Sequence, residues 1–254
     1  MDLEHIIAYP TQRRYARPLL LIHGAWHAAW CWEVAQPDLA ARGFEVHAIS
    51  LRGHGNSPRP ANFRRSTVVQ YASDVRAAIN AIGDRPIVVA HSLGGLLLQL
   101  LITGVLGPVP DIAGAIMLCT SPVSLRDYFT PRQSEEPISL SEMLRFEPKA
   151  MRATLFRRDI NEADLLRHVA RLVPEPPMMT MSSMFLRPRP TRCRTPMLVI
   201  AAEKDAVYGL PTQRSTAAAY RCGLVVVPES AHNIMLDPAW PVAAEAIERF
   251  AANL

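Results

Sequence analysis

Residues 86–95 read Pro-Ile-Val-Val-Ala-His-Ser-Leu-Gly-Gly, and this stretch restricts the fold more than any other in the chain. Ile87 to Ala90 form a short apolar run of the kind buried as a strand on both faces. The pattern then breaks into His91, Ser92, Leu93, Gly94 and Gly95, and resumes as the apolar run Leu96 to Ile102, long enough for a buried helix. A serine between a buried strand and a buried helix, with small residues at 90 and 94, has the form of a nucleophile elbow. Such a turn strains the serine backbone, lifts the hydroxyl clear of the sheet and aims the N–H of Leu93 at a developing oxyanion. Most elbows carry glycine two residues before the serine; here Ala90 is one methyl larger. The plainer reading is a Ser-Gly-Gly turn that only joins strand to helix.

The pattern around this stretch alternates. Strands are predicted at Leu3–Tyr9, Pro18–Ile22, Phe44–Leu51, Ile112–Cys119, Met197–Ala202 and Leu224–Val227. Helices are predicted at Ala28–Arg42, kinked at Pro37, and at Thr67–Ile82, Pro211–Tyr220 and Trp240–Ala252. Continuously apolar strands alternating with helices predict an α/β fold, with a mostly parallel central sheet and helices on both faces. From Ser121 to Thr195 no strand is legible, proline is frequent and the helical pieces (139–145, 149–157 and 162–172) are short. That segment is too long for a connection, so it reads as an inserted helical cap. The chain thus divides into a first core part at 1–120, the cap at 121–195 and a second core part at 196–254. Within the cap, Met178, Met181 and Phe185 are candidates to face a substrate, because methionine adapts to varied apolar shapes; packing against the main domain is the alternative.

Bulk properties exclude several classes. The 254 residues suffice for one large core, and an apolar content of 49% is ordinary for a globular enzyme. The net charge is +4, and the basic residues are arginines scattered among acids, with Lys149 and Lys204 the only lysines. No basic stripe interleaved with aromatics suggests nucleic acid. No run is long enough to span a bilayer, and the charged stretch before Pro18 does not resemble an export signal, so a cytoplasmic protein is expected. Cys31, Cys119, Cys193 and Cys222 have no metal-type spacing and read as free thiols, with a Cys193–Cys222 bridge an option if their strands are neighbours.

A serine nucleophile needs a base and an acid. His232, in Glu229-Ser230-Ala231-His232-Asn233 after the last strand, falls on the sheet edge that carries Ser92. A neutral imidazole there takes the serine proton and returns it to the leaving group, so activity is expected to fall below roughly pH 6 to 7. Asp205, just past the strand Met197–Ala202, is the preferred acid over Asp127, which lies deeper in the cap. The loop His23-Gly24-Ala25-Trp26-His27 supplies a second oxyanion donor, the N–H of Ala25, alongside that of Leu93. Trp26 and His91, neighbours of these groups in sequence, are further pocket candidates. His23 and His27 are four apart, but Gly24 argues against a helix and no acid lies between them, so no metal is expected. No cofactor is expected either.

With these motifs the chain resembles the α/β-hydrolase superfamily over nearly its whole length. Ser92, Asp205 and His232 occur in that superfamily's order. The stretch from His23 to Trp30 is similar to the oxyanion loop of the branch holding plant-type methylesterases and hydroxynitrile lyases, and Arg52-Gly53-His54-Gly55-Asn56-Ser57 matches a loop common in the superfamily. The lyases of that branch place threonine where Gly24 stands and lysine where Asn233 stands, so lyase chemistry is not expected. Dehalogenases and epoxide hydrolases use an aspartate nucleophile, which Ser92 excludes. The resemblance implies hydrolysis of a small to medium, largely apolar ester through an acyl-serine. Cofactor-free perhydrolases, C–C bond hydrolases and non-catalytic ligand receptors share the fold and stay open as alternatives.

Overall fold

A computed structural model describes residues 2–128 and 138–254; the stretch 129–137 of the expected cap lies outside the described residues. Seven strands form one sheet: β1 (His5–Ala8), β2 (Leu19–Ile22), β3 (Val46–Ile49), β4 (Ile87–His91), β5 (Gly114–Leu118), β6 (Met197–Ala202) and β7 (Gly223–Val227). Their spatial order is β1-β3-β2-β4-β5-β6-β7, with β1 antiparallel at one edge and every other pair parallel. This is the mostly parallel α/β architecture that the alternation predicts. Every residue of β2, β3, β4, β5 and β6 is buried, as a parallel sheet covered on both faces requires.

Two helical layers do the covering: α1 (Ala35–Ala41) and α10 (Trp240–Ala251) on one face, α2 (Val68–Ile82) and α3 (Leu93–Ile102) on the other. Strand residues alternate between the layers. Leu19, Leu21, Ile87 and Val89 pack with Leu39, Trp240 and Ile247, whereas Leu20, Ile22, Val88 and Ala90 pack with Tyr71, Val75 and Leu97. Each central strand is thereby held from both sides.

The expected helix at 28–42 is two pieces, a 3₁₀ turn at Ala29–Trp32 and α1 from Ala35. The break falls at Glu33 and Val34 rather than at Pro37. Pro37 sits in the first turn of α1, where an N–H has no partner to lose. The strands at 3–9 and 44–51 are shorter than the sequence predicts, because only residues opposite a partner join the ladder.

Between β5 and β6 lie α4 (Leu125–Tyr128), α5 (Leu140–Leu144), α6 (Pro148–Leu155), α7 (Glu162–Val169) and α8 (Pro177–Phe185). Met143, Met151, Leu155, Phe156, Leu165 and Leu172 form their own apolar cluster, against which Trp26, Trp30 and Leu236 of the main body pack. Backbone hydrogen bonds join the parts: the Asn233 N–H donates to the Leu155 carbonyl (2.9 Å) and the Val173 N–H to the Trp26 carbonyl (2.8 Å). All four cysteines are free thiols. Among the described residues, no helix is long and apolar enough to cross a membrane.

Candidate active site

The parallel strands direct their carboxyl ends to one edge, and the loops there carry the site. Ser92 stands between β4 and α3 with φ 49° and ψ −112°, in the positive-φ region that non-glycine residues rarely enter. Its N–H donates to the Leu118 carbonyl (3.0 Å), and its own carbonyl accepts from the N–H groups of Leu96 (3.3 Å) and Ser121 (3.1 Å). These bonds, with α3 buried along its whole length, hold the strained conformation in place. A Cβ at Gly94 would lie 2.6 Å from the His23 carbonyl, so only glycine permits this closeness of helix and loop. The methyl of Ala90, in place of the more usual glycine, is fully buried in the α2–α3 layer.

His232 and Asp205 meet this serine from two other loops. The Ser92 hydroxyl and His232 Nε2 are 3.0 Å apart, and His232 Nδ1 lies 3.0 and 2.9 Å from Asp205 Oδ1 and Oδ2. Asp205 also accepts at Oδ1 from the N–H groups of Val207 (2.8 Å) and Tyr208 (2.9 Å). A carboxylate that only accepts fixes the tautomer: Nδ1 carries the proton and Nε2 is free to accept from the hydroxyl. Ser92, Asp205 and His232 are all buried. The alternative acid, Asp127, accepts a hydrogen bond from Ser215 of α9 (Leu210–Tyr220) instead. Cys119 lies beside the pair, with one ligand-type atom from each of Cys119, Asp205 and His232 within 4.8 Å of one another. Burial pushes the Cys119 thiol well above its ordinary pKa, which keeps it a neutral neighbour.

The loop after β2 packs directly on Ser92. A Cβ built at Gly24 would lie 2.9 Å from Ser92 Cβ and 2.6 Å from His91 Nδ1. The carbonyls on either side of Ala25 N–H are tied to imidazoles: Gly24 O is 2.8 Å from His23 Nδ1, and Ala25 O is 2.7 Å from His27 Nδ1. The N–H groups of Ala25 and Leu93 make no hydrogen bond among the described residues. His23 Nε2 accepts from the Leu51 N–H (2.9 Å), and His27 Nε2 lies 3.1 Å from the Asn233 side-chain Nδ2, so the two rings share no partner. Burial holds His23 well below its ordinary pKa and lowers His27 to about 4, so both are neutral.

Comparison with known proteins bears on this arrangement. The sequence profile described as the alpha/beta hydrolase family matches residues 19–244. The chain belongs to the alpha/beta hydrolase family. Methylesterase 3 of Arabidopsis thaliana is 36% identical over 84 residues, an alignment covering 32% of each protein. The match thus spans about a third of that curated relative. Among solved structures, a methylesterase from Arabidopsis superposes with a TM-score of 0.72 at 21% identity, covering 94% of this chain and 100% of that one. A thermophilic esterase from Thermogutta terrifontis gives a TM-score of 0.74 at 19% identity, covering 99% of this chain and 93% of that one. At such identities the superpositions report the shared fold.

Around this alpha/beta hydrolase site the remaining pocket candidates separate. His91 is buried, and its Nε2–H donates to the His232 carbonyl (3.0 Å). Burial, reinforced by His232 and His27, holds the His91 pKa well below its ordinary value. Trp26 is half-buried at φ 68°, with its ring edge-on to Phe146 at 5.6 Å. Met178, Met181 and Phe185 instead lie on the outer side of α8, at 37%, 48% and 80% exposure, while Met179 is the α8 residue that is buried. Two side chains not singled out from sequence stand beside the site. The Ser121 hydroxyl is 3.2 Å from the Tyr208 hydroxyl, and the Tyr208 ring lies edge-on to His232 at 5.8 Å. Neither carries a motif; only their positions after β5 and after Asp205 hinted at them.

Proposed function

We propose that this protein is a serine hydrolase that cleaves a small to medium carboxylic ester, largely apolar, through an acyl-serine intermediate. The observation that carries the reading is the continuous chain from Asp205 through His232 to Ser92, with contacts of 2.9 and 3.0 Å. In the first half-reaction Ser92 Oγ bonds to the ester carbonyl carbon while its proton passes to His232 Nε2. The oxyanion that forms is met by the N–H groups of Ala25 and Leu93. Collapse breaks the bond to the alkoxide, which leaves as the alcohol with the proton from His232. Water then attacks the acyl-serine, giving up a proton to His232, and the acid departs as Ser92 recovers its hydrogen. Asp205 stabilises the imidazolium at each stage. Residues 121–195 act as the cap that bounds the substrate. The similarity to methylesterases supports the ester class.

The test is turnover of short-chain p-nitrophenyl esters by the protein and by Ser92→Ala, together with labelling by a fluorophosphonate. Turnover and labelling that both vanish in Ser92→Ala are expected. Hydrolysis that survives the substitution, or a wild-type protein that neither turns over nor labels, would overturn the assignment.

A further inference from the structure

We infer that Glu175, held between two prolines in the segment joining α7 to α8, is a positioning residue that aims the Ala25 N–H at the reacting carbonyl. This inference rests on the acyl-serine reading above. Glu175 lies in Val173-Pro174-Glu175-Pro176-Pro177, where three fixed prolines leave the backbone little freedom. Its side chain is 6% exposed, and three groups of the main body converge on it. Oε1 accepts from the Trp26 N–H (2.9 Å) and stands 3.1 Å from His54 Nε2; Oε2 accepts from the Tyr71 hydroxyl (2.9 Å). A buried carboxylate without partners is costly, so this convergence specifies where the carboxylate sits.

The groups that face Glu175 are oriented by their own neighbours. His54 Nδ1–H donates to the Arg52 carbonyl (3.0 Å), which presents Nε2 toward Glu175. Burial works against the His54 imidazolium, but the Glu175 carboxylate outweighs it and raises the His54 pKa. Burial and the same carboxylate raise the Tyr71 phenol, so Tyr71 stays a hydroxyl donor.

The consequence reaches the reacting atoms through two peptide groups. Trp26 adopts φ 68°, in the positive-φ region that residues other than glycine rarely enter. It is clamped at both ends from one short segment: its N–H donates to Glu175 and its carbonyl accepts from the Val173 N–H (2.8 Å). The peptide joining Ala25 to Trp26 therefore has its N–H on Glu175 and its carbonyl on His27. The preceding peptide has its carbonyl on His23. The Ala25 N–H makes no hydrogen bond among the described residues, and its direction follows from its anchored neighbours. Preorganised donors of this kind act without rearranging during the reaction.

The experiment compares a p-nitrophenyl ester with its thionoester, in which sulfur replaces the carbonyl oxygen and accepts hydrogen bonds poorly. Rates are expressed per site titrated by fluorophosphonate. Glu175→Met keeps the length of the side chain but cannot accept from Trp26 or Tyr71. It is expected to lower kcat on the ester about tenfold with KM changed less than about twofold, and to reduce the ester-to-thionoester rate ratio to match. Glu175→Gln retains an oxygen for Trp26 while the Tyr71 hydroxyl turns to accept, so it is expected to recover most of the ratio. A Glu175→Met protein with wild-type kcat and ratio per titrated site, its loss confined to the number of sites, would show a structural role and overturn the inference. Should Glu175→Met fail to fold, Tyr71→Phe decides, with a two- to threefold fall in the ratio expected and an unchanged ratio refuting. A wild-type protein that neither turns over nor labels removes the acyl-serine reading itself, a result distinct from an active enzyme indifferent to residue 175.

Discussion

Replacing Asp205 by asparagine removes one charge and leaves the shape of the side chain nearly unchanged. Where each amide atom goes is dictated by the neighbours. Oδ1 faces the N–H groups of Val207 and Tyr208 at 2.8 and 2.9 Å, so the amide oxygen must take that place. The amide nitrogen then occupies the Oδ2 position, 2.9 Å from His232 Nδ1, and donor meets donor there, while the oxygen 3.0 Å from Nδ1 already accepts from two backbone N–H groups. The imidazole relieves this by moving its proton to Nε2, the atom 3.0 Å from the Ser92 hydroxyl. A protonated Nε2 cannot take a second proton from serine without becoming a cation that no longer has a carboxylate beside it. The expected loss is about 10⁴ in kcat, or roughly 5 kcal/mol of transition-state stabilisation. The assay is p-nitrophenyl ester turnover at neutral pH, with thermal unfolding to verify the fold and ¹⁵N shifts of His232 to read the tautomer. A folded variant that loses less than about tenfold, or that keeps its proton on Nδ1, would refute the reasoning.

Gly24→Ala places a methyl 2.6 Å from His91 Nδ1 and 2.9 Å from Ser92 Cβ, with both neighbours buried. It is expected to cost about 1–3 kcal/mol in denaturant unfolding and on the order of 10² in kcat/KM, and wild-type values in both would show the loop to be looser than described. His27, held at about 4 in the folded protein, takes up a proton near 6.5 when unfolded, so the unfolded state binds more protons between those values. Stability is therefore lost as pH falls through that window. Urea unfolding at pH 7 and pH 4.5 should show the wild type losing about 2.5 kcal/mol more than His27→Gln; equal losses would count against the neutral buried ring.

Much of this was legible in the chain because it rests on local pattern. The apolar runs mark the strands, since a strand buried on both faces has no polar phase, and the break at His91-Ser92 marks the turn. The order of Ser92, Asp205 and His232 follows from each lying just past a strand. Groups set by tertiary approach gave no such signal. Glu175 is one acid among prolines, and nothing in its spacing announces Trp26, His54 and Tyr71, which precede it by more than a hundred residues. The helix α8 was hidden by its prolines, which serve as its entry, and the methionines gave no phase from which to tell buried Met179 from exposed Met178 and Met181. The split near Glu33 reflects packing of the turn against the sheet, whereas proline chemistry alone pointed four residues downstream.

Strand β4 sends Ile87 and Val89 into one helical layer and Val88 and Ala90 into the other. A slide by a single position would exchange those two sets and turn the serine at its end toward the opposite side. The interior thus works as a ruler read from above and below at once. Insertions or deletions of one residue between 87 and 91 strike the chemistry as hard as they strike the packing, whereas the same lesion in the exposed outer strand β1 leaves the ruler intact.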